Sequence, residues 1–203
     1  LQPLISDGII VPLEVMTFMK YTNKILAGML IFIGAAALFS GIIISEARYP
    51  GYRVAQAISD LGVGPTAWLF NSTIFIFGIF LIISAYLLLN TGTNRYFTVL
   101  LGLAGVGATL VGLIPETQGV PHVIAAVMVF VSGGLCAIAG YSVFRGPFSL
   151  FSPVFGSIVL IAAILLALKL YLSLGMGGME RMIAYPLIIW ALGVGAYLMS
   201  PGK

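Results

Sequence analysis

Six runs of about 20 predominantly apolar residues govern what this chain can become, because that is the length a helix needs to cross the hydrocarbon core of a bilayer. They cover positions 25–45, 68–90, 96–114, 123–144, 151–173 and 181–200 of the 203-residue sequence. A membrane barrel would instead show alternating strands of about 10 residues, and none is legible here. Composition agrees. Hydrophobic residues make up 61% of the chain and charged ones 7%, against about 25% charged in a soluble domain. So few charges cannot coat a water-facing surface, which excludes soluble enzymes, nucleic-acid binders, disulfide scaffolds and disordered chains. The expectation is an all-α, polytopic membrane protein of six transmembrane helices in one domain over 19–203.

The first run is too long for the ~7–15-residue apolar core of a signal peptide, so it reads as a retained helix. Ahead of it, positions 1–18 carry Pro3, Asp7, Gly8, Pro12 and Glu14 and read as an N-terminal extension. Met19-Lys20-Tyr21-Thr22-Asn23-Lys24 then has the look of a natural start. The single cysteine, Cys136, lies in an apolar run, so it forms no internal disulfide.

The connecting segments set the orientation. Lys20, Lys24, Arg95, Arg145 and Lys203 fall on one side with no acid among them from Met19 onward. Glu46, Arg48, Arg53, Asp60, Glu116, Glu180 and Arg181 fall on the other. Lys and Arg concentrate in cytoplasmic loops. The bias therefore predicts a multi-pass protein of the plasma membrane with both termini cytoplasmic.

Small residues recur every four positions at Ala104, Ala108 and Gly112 in the third run, and at Ser132, Cys136 and Gly140 in the fourth. Such spacing lets helix backbones approach closely in lipid. Ala108 and Cys136 should then face protein, and Ala108→Leu should overpack that interface.

The longest outer loop spans 46–67. Within it, Val54, Ile58 and Leu61 share one helical face while Arg53, Gln56 and Asp60 lie mostly elsewhere, which predicts a short interfacial helix ended by Gly62. Asp60 at its end, Asn71 one turn into the second run, Glu116 after Pro115 and His122 opening the fourth run all fall at similar depth. Unpaired polar groups at an apolar boundary are costly, so these four should converge on one outer pocket. Lys169 is the one charge well inside an apolar run. A charge in such a run is a functional candidate, although a lysine this close to a helix end can also snorkel to the headgroups. Arg53 beside Asp60, and Glu180 beside Arg181, read as surface ion pairs. His122 can be read as a hydrogen-bond donor at a helix terminus, a ligand contact, a metal ligand with Glu116 and Asp60, or a general base. A lone histidine is poor support for zinc, and no HExxH, CxxC, GxSxG or phosphate-binding loop occurs. No metal and no cofactor is expected, and no catalytic residue is assigned.

Ile58-Ser59-Asp60-Leu61-Gly62, Leu69-Phe70-Asn71 and Gly112-Leu113-Ile114-Pro115-Glu116 followed by His122 resemble the domain-of-unknown-function 998 family over positions 19–200. The resemblance implies a six-helix prokaryotic membrane protein with Asp60, Asn71 and His122 at one membrane face. It supplies no activity or substrate.

The leading functional expectation is a non-catalytic membrane protein whose outer cluster binds a lipid headgroup, small ligand or partner subunit. The candidate residues are Asp60, Asn71, Glu116, His122, Arg53 and Lys169. The alternative is a lipid-modifying enzyme at the membrane interface using His122 with Asp60 or Glu116. A transporter ranks last, because the inner halves of the runs lack the polar path that ions require. The bilayer is the expected partner, with a lipid ligand or membrane subunit besides, and no nucleic acid.

Overall fold

A computed structural model describes residues 5–6, 9–10 and 13–200. Six α-helices fill most of that range: α1 Leu13–Arg48, α2 Ala67–Leu89, α3 Arg95–Leu113, α4 Val120–Ala139, α5 Pro147–Ala167 and α6 Gly175–Met199. All six are long and apolar enough to cross a membrane. Ahead of them, the two-residue strands β1 (Ile5–Ser6) and β2 (Ile9–Ile10) pair antiparallel. Positions 1–4, 7–8 and 11–12 of the expected extension, and the topology mark Lys203, lie outside the described residues. The helix α1 begins inside the 1–18 segment and runs through Met19 without a break. After Pro12 nothing in Leu13–Lys24 interrupts a helix.

Short connections make successive helices antiparallel neighbours. Each helix packs against the next in the chain, and α6 closes back on α1. The six therefore form a ring. Its outside is apolar, with Trp68, Tyr96, Phe151 and Ile161 exposed, as suits helices solvated by lipid tails. Its backbones approach closely. A Cβ on Gly105 of α3 would lie 2.8 Å from the Gly78 carbonyl of α2, so only glycine fits that crossing. The expected small-residue ladders are buried, with Ala108 and Cys136 both at 0% exposure. The Cys136 thiol of α4 donates to the Phe97 carbonyl of α3 at 3.4 Å. Gly112, by contrast, faces the Asn71 and Phe75 backbone of α2, so the third-helix ladder serves two interfaces.

Helix boundaries also differ from the apolar runs at both ends of α5. Gly146 (φ +67°) and Pro147 start it four residues early, a glycine-then-proline entrance suited to a first turn. Its C-terminus is closed by the paired bonds Leu170 N–H to Leu165 O, 2.8 Å, and Lys169 N–H to Leu166 O, 3.0 Å. That is a Schellman closure with Lys169 at the left-handed position, φ +58°. The fifth helix thus ends at Ala167, and Lys169 is an exposed residue just beyond it.

The helix expected in the long α1–α2 loop is present only as the single 3-10 turn Ser59–Gly62, which ends at Gly62 as anticipated. Upstream, residues 49–58 form irregular turns in which the Val54 and Gln56 carbonyls bond to the Arg181 side chain of α6, while those of Tyr49, Arg53, Ala57 and Ile58 accept from amides three residues on.

Candidate functional site

The helix α6 starts six residues earlier than the apolar pattern indicates, and this puts Glu180 and Arg181 in its second turn. Gly177 makes the early start possible. Its N–H donates to the Ala55 carbonyl at 3.1 Å, and a Cβ there would collide with the Gln56 carbonyl. Arg181 is buried and reaches the same loop. Its Nη1 donates to the carbonyls of Val54 (2.8 Å), Gln56 (3.1 Å) and Gly177 (2.9 Å). Its Nη2 donates to Glu46 Oε1 (2.5 Å) and Tyr52 Oη (2.9 Å). The Tyr52 hydroxyl passes its own hydrogen to the Ala57 carbonyl, 2.8 Å. Burial, foremost, raises the Tyr52 pKa above its ordinary 10.0. Both terminal nitrogens of the guanidinium are engaged, so Arg181 fastens the loop.

Glu180 holds the next stretch. Its Oε2 accepts from the Ile58 (2.6 Å) and Ser59 (3.2 Å) amides, and its Oε1 accepts from Ser59 Oγ (3.3 Å). The expected ion pairs are therefore corrected. Among the described residues Arg181 pairs with Glu46, Glu180 pairs with backbone amides, and no ion pair joins Arg53 to Asp60. A carboxylate satisfied by amides and an arginine satisfied by carbonyls leave no reason for the sequence neighbours to meet.

The other candidates gather at this end of the ring without bonding to one another. Asn71 Nδ2 donates to the Gly62 carbonyl, 2.9 Å, and braces the end of the loop. His122 is 8% exposed, and its Nδ1 lies 2.7 Å from the Ile114 carbonyl at the end of α3. A carbonyl only accepts, so Nδ1 carries a hydrogen, and in the neutral form of the ring Nε2 has a bare lone pair. Glu116 sits in the 3-10 turn Glu116–Gln118, which packs on the Ser59–Gly62 turn. Its Oε2 is buried with no hydrogen-bond partner, and its charge is within electrostatic reach of Glu180. Asp60 is half-buried in the loop turn, while Arg53 is exposed with its amide bonded to Gln56 Oε1. Lys169 stands apart, on the α5–α6 link. No group of three or more His, Cys, Asp or Glu side chains among the described residues is placed to hold a metal ion.

Beneath this polar end the ring encloses a cavity of about 120 Å³. Five helices and the loop residues Ile58 and Ser59 line it, and α5 does not reach it. On α6 the lining runs from Glu180 to Val194, roughly 21 Å at 1.5 Å per residue. The walls are apolar, as at Leu38, Phe77, Ala108 and Val129. Deeper polar atoms are already engaged: Cys136 Sγ with Phe97, and Trp190 Nε1 with Ser152 Oγ at 2.8 Å. Trp190 of the lining belongs to an aromatic cluster. Phe97 packs edge-on against Phe144 (5.5 Å between centroids) and Trp190 (6.2 Å), and Phe144 continues to Phe148 and Tyr197. The remaining polar lining, His122, Ser59 and Glu180, stands at the loop end; Ser59 and Glu180 are bonded to each other, and His122 Nε2 is bonded to no described residue. Sequence reasoning singled out His122 but missed Glu180 and Ser59. A helix start at Gly175 would have flagged Glu180 as a charge inside a membrane helix, but Gly175-Met176-Gly177-Gly178 reads as a link.

No curated protein and no solved structure matches the chain. The family model described as "Protein of unknown function (DUF998)" matches residues 32–197, the span that includes the loop, the ring and the cavity. The chain belongs to the DUF998 family of proteins of unknown function.

Proposed function

We propose that this is a non-catalytic binding protein of the plasma membrane that takes the apolar part of a small single-chain amphiphile into its central cavity. In this reading the polar head rests at the loop end, which faces outward, and both termini are cytoplasmic. The observation that carries the proposal is the polarity of the cavity: apolar walls along its length, with His122, Ser59 and Glu180 lining the loop end. Ligand sites are commonly apolar concavities with a few placed polar groups. The volume favours a short chain over a two-chain phospholipid, since ~150 Å³ apolar cavities take up molecules of benzene size. The loop pinned by Arg181 and Glu180 supplies a fixed roof. Charge bias in the connecting segments supports the orientation, and the bilayer itself is the proposed partner.

Ala108 lines the cavity, so the extra carbons of Ala108→Leu extend into it. Native mass spectrometry of the purified protein should show a small amphiphile adduct that Ala108→Leu lacks. The same adduct in both proteins, or none in either, would count against cavity binding.

A further inference from the structure

The charges around the cavity's polar end restrict which head it accepts. We infer that the head is a hydrogen-bond donor without negative charge, an alcohol or an ammonium group, and that carboxylates and phosphates are rejected. This rests on the cavity-binding reading above and narrows it to a ligand class.

Three features argue for it. First, His122 is more than nine-tenths buried and lines the cavity, and its Nδ1 is fixed as a donor to the Ile114 carbonyl. The ring's other nitrogen is bonded to no described residue, and in the neutral ring it can only accept. Second, the nearby acids are acceptors too. The Glu180 carboxylate lines the cavity, and Glu116, within electrostatic reach of it, has a buried Oε2 with no partner. Glu116 does not itself line the cavity, so it acts there through its charge, while a donor on the ligand would satisfy the free nitrogen of His122. Third, among the described residues no Lys or Arg lines the cavity. Both terminal nitrogens of Arg181 are taken by Glu46, Tyr52 and three carbonyls. Arg53 is exposed in the loop, and Lys169 lies beyond the end of α5. An anionic head would meet like charge with no compensating partner, and like charge suppresses wrong ligands.

The test uses the placement of the two tryptophans. Trp190 lines the cavity and Trp68 faces outward, so Trp68→Phe leaves Trp190 as the reporter. Its fluorescence is titrated in detergent with 8-bromo-1-octanol, 8-bromooctylamine and 8-bromooctanoate at about pH 8, where the acid is ionised. The alcohol, the amine or both should quench saturably, with half-saturation at least about tenfold below that of the acid. The better of the two identifies the head as hydroxyl or ammonium. His122→Asn keeps a donor for the Ile114 carbonyl and removes the acceptor nitrogen, and it should weaken the alcohol about fivefold. Glu116→Gln should improve the acid relative to the alcohol. Saturable quenching by the acid as tight as by the alcohol, or no effect of either variant, overturns the head assignment and leaves cavity binding standing. If no compound quenches saturably, the cavity-binding reading itself fails.

Discussion

Arg181 and Glu180 are adjacent in the sequence yet hold different stretches of one loop. The arginine takes the carbonyls of Val54 and Gln56, and the glutamate takes the amides of Ile58 and Ser59. Loss of one partner from a buried charge network typically costs about 3–5 kcal/mol. Arg181→Ala should therefore lower unfolding stability by about that much, measured by thermal unfolding in detergent. Arg181→Lys should recover little of the loss, since an ammonium cannot reproduce the planar fork. Tyr52 adds a pH dependence. Its hydroxyl is held neutral by burial, with a folded pKa above the ordinary 10.0. The associated stability is complete below about pH 10 and is lost as pH rises through the raised value. Tyr52→Phe should flatten that alkaline decline while lowering stability at neutral pH through the lost bonds to Arg181 and Ala57. Sequence reasoning found His122, Asn71 and Glu116 because polar residues near the ends of apolar runs stand out. It could not assign their partners, because the Ile114 and Gly62 carbonyls that engage His122 and Asn71 carry no signature in side-chain identity.

At the scale of elements, hydropathy located every span but misplaced the ends of α5 and the start of α6. Apolar residues continue past Ala167 through Leu168, Leu170 and Leu172, so the pattern has no stop there. The stop is conformational, with Lys169, Leu172, Ser173 and Gly175 all at positive φ. A side chain in the left-handed region costs roughly 1–2 kcal/mol relative to glycine. Lys169→Gly should therefore stabilise the protein by about 1 kcal/mol in thermal unfolding, and it should leave ligand binding unchanged because Lys169 is remote from the cavity. The interfacial helix expected over the long loop shrank to one 3-10 turn because side chains of α6 capture the loop backbone. That is a tertiary competition which amphipathic spacing cannot register. The small-residue ladders were legible as burial except at the half-buried Gly112, but their consequence differs. Since Ala108 borders a cavity, Ala108→Leu should cost less than the ~1–3 kcal/mol of an overpacked core.

At the scale of the whole molecule, a ring of helices with an apolar cavity inside is a property of closure. It depends on α6 returning to α1, and no single stretch of sequence encodes the void between them. What the sequence does carry at this scale is orientation. With Cys136 replaced by Ala, single cysteines at Gln56 and Gln118 should react with an impermeant thiol reagent added outside intact cells. A cysteine at Asn94 should react only after permeabilisation, and its reaction from outside would invert the proposed topology. The central claim, that the cavity receives the apolar part of an amphiphile, is tested most directly by anomalous diffraction from crystals grown with 8-bromo-1-octanol. The account predicts a bromine peak inside the ring, between Ala108 and Trp190, that Ala108→Leu abolishes. Bromine found only on the lipid-facing surface of the helices, with the cavity unchanged, would contradict it.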